Sequence, residues 1–295
     1  MFGIRPDGRR IKNVDPIVMF TPYVMPTRND AQNFCKQTID YDTLANYIKK
    51  KRGEGHVFSF MTIVIAAYLR TVSQCPELNR FIANKQIFAR NRISVSFVVL
   101  KNTHGETIEE SLVKLELNAT DTIYDVDDKM RRAIEHSRES SMGTLTDRFA
   151  RILLSIPGLA TLIVAIARLL DRYGLLPGLI YDASPFHTTL FITNMASINM
   201  TYIYHHLYNF GTTSVFLALG KRERAIVPLS GGGVTYKNQL PLGVVTDERI
   251  AGGASYAKAF RVLSDCLNDP SALENPPQSV KYEVEMRPAR DVNKR

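Results

Sequence analysis

The sequence predicts an α/β chain, and three stretches carry that prediction. The first is Leu240 to Pro270, LPLGVVTDERIAGGASYAKAFRVLSDCLNDP. Leu242, Val244 and Val245 sit in a β-prone run. Beyond a short loop, Tyr256, Phe260, Leu263 and Leu267 recur at helical spacing until Asp269-Pro270 stops them. The second is His56 to Cys75, where Phe58, Met61, Ile65, Leu69 and Val72 recur three and four apart, followed by the strand-like Ile93 to Leu100. The third is a pair of β-prone runs, Thr188 to Asn194 and Val215 to Gly220.

Taken in order, residues 1–27 are basic first, then apolar with prolines at Asp15-Pro16, Thr21-Pro22 and Met25-Pro26. Proline at this density opposes a long helix, so an extended arm against the body or a neighbour is expected. Phe34 to Tyr41 reads as a strand, and Thr43 as the cap of a helix reaching Lys51. Pro76-Glu77-Leu78-Asn79 closes the His56–Cys75 helix, and a hairpin-like link lies around Asn84-Lys85. Asp121 to Arg138 reads as a helix exposed on one side.

Residues 147–182 are strongly apolar and free of charge between Arg151 and Arg168, about 16 residues, short of the roughly 20 needed to cross a bilayer. A short apolar helix pair, buried or covering an apolar pocket, is expected. A patch for weak contact with a membrane surface through 152–170 stays open beside it. Tyr202 to Asn209 is aromatic and β-prone, with His205 and His206 on opposite faces if it is a strand. Gly231-Gly232-Gly233 reads as a hairpin turn before VTYKN, since the trailing Lys-Ser/Thr of a phosphate loop is missing. Residues 271–295 read as a mobile or strapping tail.

Composition narrows the function classes. The chain has 295 residues, 45% hydrophobic and 22% charged, enough for one sizeable core. The net charge of +8 could attract a phosphate-rich ligand, but the cations are scattered and accompany no nucleic-acid-binding signature, so no nucleic-acid partner is expected. Cys35, Cys75 and Cys266 are widely spaced, which argues against a disulfide framework or a metal site and suits the cytoplasm. The first residues lack the apolar core of a signal peptide.

Two motifs carry a resemblance. Asp247-Glu248-Arg249-Ile250-Ala251-Gly252-Gly253-Ala254 resembles the Asp-His-Arg-x-x-Asp-Gly-Ala string that ends the catalytic domain of dihydrolipoamide acyltransferases, the cores of 2-oxo acid dehydrogenase complexes, a family similar to chloramphenicol acetyltransferase. VIAAYLRTVSQCPELNRFI resembles the same family's alanine-rich helix closing on Pro-Glu-Leu-Asn. TTLFITN then stands where that family has Thr-Ile-Ser-Asn, with Thr193 at the serine position. The resemblance spans 28–270 and implies a mixed sheet flanked by helices, a trimer or larger homo-oligomer, coenzyme A as substrate and no metal. It covers the catalytic domain alone, so no lipoyl group is expected on this chain.

In that family a histidine is the general base and a hydroxyl stabilises the oxyanion. The resemblance therefore points to Glu248 and Thr193 as catalytic candidates, to Asn194, Ser197 and Arg249 as substrate-binding ones, and to Asp247, Gly252 and Gly253 as motif positions. Glu248 stands for the histidine and Gly252 for the aspartate. A carboxylate near 4.3 against an imidazole near 6.5 gives up about 3 kcal/mol in accepting a thiol proton, roughly a hundredfold in rate. Gly252 and Gly253 are also expected to free the loop backbone. Two functions stay open: an acyltransferase with an unorthodox site, or a catalytically silent relative acting as a scaffold or regulatory partner.

Overall fold

The computed structural model describes residues 4–101, 109–139 and 154–283. The amino-terminal strands β1 (Ile4–Arg5) and β2 (Gly8–Arg10) are followed by α1 (Pro16–Val24), β3 (Gln32–Asp40), α2 (Tyr41–Gly53) and α3 (Phe60–Gln74). Next come β4 (Arg80–Ala83), β5 (Gln86–Arg90), β6 (Ile93–Lys101), β7 (Glu109–Leu117) and α4 (Ile123–Glu139). The last part holds α5 (Leu159–Tyr173), α6 (Gly178–Ala183), β8 (Leu190–Asn194), β9 (Val215–Leu219), β10 (Glu223–Pro228), β11 (Val234–Asp247) and α7 (Gly253–Asn268).

The main sheet is mixed and has seven strands, β10-β11-β9-β8-β6-β7, with β3 on the other edge of β11. β11 is its spine: Leu242 to Thr246 pair with β9 on one side while Gln239 to Asp247 pair with β3 on the other. Strands sandwiched in this way lose their polar face, so VFLAL of β9 and Leu240 to Asp247 are buried at every position. The Leu190, Ile192, Leu217 and Val244 face meets α3 and α7 in the main core. On the opposite face Phe191 and Phe216 stack at 5.0 Å beside Leu207 and Val245. A second sheet, β1-β2-β5-β4, lies apart. Its β4–β5 turn holds Asn84 and Lys85 at φ of 47° and 58°, the double left-handed geometry of a tight hairpin.

Several expectations need correction. The arm is not extended throughout: Asp15 caps a helix by accepting from Ile17 N at 2.8 Å, with Pro16 in the first turn. Pro22 cannot donate to the Val18 carbonyl, and Thr21 Oγ1 takes that acceptor at 2.8 Å. Asp40, not Thr43, caps α2, accepting from Thr43 N at 2.9 Å. Tyr202 to Asn209 forms no strand. It passes over the sheet face, so close that a Cβ on Gly243 would meet Ile203 O at 2.1 Å and one on Gly220 would meet Tyr202 N at 2.4 Å. Its aromatic residues cover the sheet: His205 stacks on Phe216 with centroids 4.1 Å apart.

Among its described residues the apolar insert includes α5 and the start of α6, but α5 buries none of its residues. Residues 147–153 and 284–295 lie outside the described residues. Within the described part of the tail, Lys281 N donates to Ser73 O at 2.8 Å and Arg80 pairs with Glu283 at 2.5 Å, so this stretch straps its own chain. No helix among the described residues is long and apolar enough to cross a membrane.

Candidate active site

The spine strand delivers Asp247, Glu248 and Arg249 to one end of the sheet. Asp247 is wholly buried, and its carboxylate accepts from Arg249 Nε at 2.8 Å, Nη2 at 2.7 Å and the Arg249 amide at 3.1 Å. Such a fork on a carboxylate fixes direction as well as charge. Arg249 Nη1 reaches Met25 O at 3.0 Å, tying the amino-terminal segment to the loop. Tyr256, one turn into α7, donates its hydroxyl to Asp247 O at 2.7 Å. Burial holds that phenol well above its ordinary range. Behind the pair lies Arg28, fully enclosed, with Nε 4.0 Å from Asp247 Oδ2 and Nη2 on Ile82 O at 3.1 Å. Burial pulls its guanidinium down to about 10, against the pull of Asp247.

The chain between these anchors is pinned as well. Asp247 N donates to Ser214 O at 2.9 Å and Glu248 N to Ala31 O at 2.8 Å. The Glu248 side chain alone turns outward. It is exposed and makes no hydrogen bond or ion pair with the described residues. Arg249, expected to bind substrate, is buried and holds the loop instead. Gly252 and Gly253 do not supply special backbone freedom. Gly252 has φ of −73° and caps α7, Gly253 opens the helix, and a Cβ on either would meet open space.

The other candidates gather elsewhere. Thr193 is the penultimate residue of β8, its hydroxyl 3.8 Å from Met195 Sδ. Asn194 Oδ1 beside it is buried without a partner, and Ser197 Oγ donates to Asn194 O at 2.7 Å. Strand register measures the gap between the two groups. Thr193 is level with Ala218 on β9, which is level with Gly243 on β11, and Glu248 lies five residues further on. At about 3.3 Å per residue and 4.8 Å per strand, the two side chains are roughly 16 Å apart along the sheet and about 10 Å across it. One protomer does not bring them together.

No family model matches the chain, and no curated protein matches it in sequence. Solved structures do. A probable dihydrolipoamide acetyltransferase from Listeria monocytogenes aligns over 88% of this chain and 94% of its own, with TM-score 0.54 and 12% identity. The cubic core of a pyruvate dehydrogenase multienzyme complex aligns over 90% and 94%, at 0.55 and 13%. A chloramphenicol acetyltransferase aligns over 88% and 99%, at 0.53 and 13%. This chain has the acyltransferase-core fold. Identities this low speak for architecture, and the acyltransferase-core fold is what they share with the sheet and helices described above.

Arg28 and Tyr256 went unnoticed in the sequence as parts of the site. Tyr256 could have been found: it follows Gly252 by one helical turn, and a tyrosine there can reach back to the strand end. Arg28 is far from Asp247 in the chain and carries no local signal.

Proposed function

We propose that the chain is an acyltransferase of the dihydrolipoamide acyltransferase type, working on coenzyme A thioesters in a homo-oligomer whose smallest unit is a trimer. The observation that carries this reading is the placement of Glu248 and Thr193 at opposite ends of one sheet, each incomplete alone. In a ring of protomers the Glu248 end of one chain faces the Thr193 end of the next. Glu248 takes the proton from the attacking thiol as its sulfur bonds the thioester carbonyl. Thr193 donates its hydroxyl to the resulting oxyanion. Collapse breaks the original C–S bond, and the proton returns from Glu248 to the departing thiolate. The clamp of Asp247, Arg249 and Tyr256 keeps the base in register, and Asn194 and Ser197 line the hydroxyl side.

A second reading, an inactive oligomeric scaffold or regulatory partner, is favoured by the exposed, unpartnered Glu248 carboxylate and by glycine at 252. One experiment separates them: acyl transfer from acetyl-coenzyme A to dihydrolipoamide, with molar mass measured on the same sample. The acyltransferase reading expects turnover that falls roughly a hundredfold in E248Q. Equal rates in both proteins would remove Glu248 from the mechanism. An oligomer without turnover leaves the scaffold, and a monomer at micromolar concentration overturns the shared site.

A further inference from the structure

Away from both sheet ends, the chain forms a cavity of about 130 Å³ between the β1–β2 turn, the start of β6, β7 and α6. Its wall includes Asp7, Arg90, Arg92, Lys114, Asp182 and His187, with Glu116 at the rim. The charges on this wall can be paired one by one. Arg92 is shared by Glu116 at 3.1 Å and Asp182 at 3.4 Å, an exposed set. Asp7 belongs to Arg5, with Nε to Oδ1 at 2.8 Å. Arg90 and Lys114 remain, and neither makes an ion pair with the described residues.

Both cations lie where an unpaired charge is unfavourable. Arg90 is 4% exposed. It donates through Nη1 to Thr212 Oγ1 at 2.9 Å and through Nη2 to Thr212 O, while Nε has no partner. Lys114 Nζ donates to Tyr181 O at 2.6 Å and Ser184 O at 3.1 Å, which leaves its third N–H unused. Burial brings Arg90 down to about 9 and Lys114 down to about 8. Beside them His187, 3% exposed, bonds Ser184 Oγ through Nδ1 at 2.8 Å. Its Nε2 faces the Asp171 carboxylate, 3.4 Å from Oδ1. Buried charges ordinarily come paired, and buried donors ordinarily find acceptors. Here two cations, one with an unmet Nε, line a space that would hold about four waters at ~30 Å³ each.

We propose that this cavity binds a small oxyanion, the phosphoryl, sulfate or carboxylate end of a metabolite, between the Arg90 guanidinium and the Lys114 ammonium with His187 alongside. The anion supplies the direct ion-pair partner that neither cation has among the described residues. The site shares no residue with the proposed acyl-transfer centre, so each stands or falls separately.

The test follows thermal unfolding and calorimetric titration of the full chain with sulfate, with succinate, and with chloride at matched ionic strength. A ligand that binds only the folded state raises the midpoint along a saturating curve. Saturable stabilisation by sulfate supports a phosphoryl-type ligand, and a stronger response to succinate supports a carboxylate. K114M abolishes the saturable part, whereas R132A, which removes an exposed cation on α4 outside the cavity wall, keeps it. Wild-type protein supplies an arm that needs no variant. Sulfate keeps its charge between pH 7 and 9.5, while Lys114, faced by Arg90, Asp7, Glu116 and Asp182, does not. Sulfate binding weakens at least about tenfold as pH rises through that range, as expected for losing the Lys114 contact and then part of the Arg90 one. A response no greater than that of chloride, or sulfate binding unchanged across that pH range, overturns the proposal.

Discussion

The most charged tripeptide near the site and the most apolar stretch of the chain have exchanged the environments their composition implies. Asp247 and Arg249 are 0% and 2% exposed, while Leu179, at the apolar insert, is 81% exposed. The difference is one of partners. Asp247 has a guanidinium fork, a second arginine behind it and a tyrosine on its carbonyl, so its charge enters the interior compensated. α5 has a continuous apolar surface and little to pack it on. It is moored by polar groups: Asp171 accepts from Arg5 Nη2 at 2.6 Å, and Arg172 Nε reaches Asn84 Oδ1 at 2.9 Å. Side-chain chemistry sets what burial would contribute, and the presence of partners decides whether it happens.

The sharpest way to break this comparison is to remove the central carboxylate. D247A leaves Arg249 and Arg28 enclosed without their counter-charge. A loss of about 3–5 kcal/mol in denaturant unfolding is expected. A loss below 1 kcal/mol would mean that water or a neighbouring acid replaces the carboxylate, and the clamp would not hold the loop.

The mooring of α5 predicts a smaller, pH-dependent effect. Burial alone would raise the Asp171 carboxyl, but His187 and Arg5 draw it down to about 2. A carboxyl depressed in the folded state contributes stability above its unfolded value, near 3.9, and loses it as pH falls through about 2. The contribution is at most about 2.6 kcal/mol at neutral pH, from ~1.36 kcal/mol per unit. The stability difference between wild type and D171N should therefore shrink as pH falls from 5 to 2. A constant difference would place the mooring elsewhere.

Legibility in the sequence followed the same division. α3, α7, β8, β9, β11 and both hairpins announce themselves through period and turn residues, because each buries one face against its neighbours. α1 was missed although Asp15-Pro16 is a start signal; the count of prolines masked their positions, one at the helix start and one whose lost acceptor Thr21 takes. Tyr202 to Asn209 misled because aromatic, β-prone residues serve equally to cover a sheet as to extend it. At the site, the motif frame located the loop. It could not show that Arg249 turns inward, because that depends on Arg28 and Met25, brought in from the far end of the chain.

Within the clamp, Y256F removes one buried donor and leaves Asp247 O without it. About 1 kcal/mol of stability should go, measured by denaturant unfolding. In an active enzyme, kcat should fall further than this loss of stability explains, because the same hydroxyl fixes the carbonyl preceding Glu248. Stability and kcat unchanged together would show that the fork alone positions the loop.

The smallest effect belongs to the apolar region, and its smallness is informative. Leu162 on α5 is 57% exposed, so L162S removes little buried area from the chain as described. Surface substitutions without lost partners change stability by within about 0.5 kcal/mol. If dilute protein shows that value while concentrated protein loses more, and the measured mass falls with it, another protomer covers the α5 face. Apolar surface would then be buried after all, only later, at assembly. If the value holds at every concentration and the mass is unchanged, Leu162 lies outside the contacts between protomers. The contrast with Asp247 would then persist in the assembled protein, with its charge buried and this leucine in water.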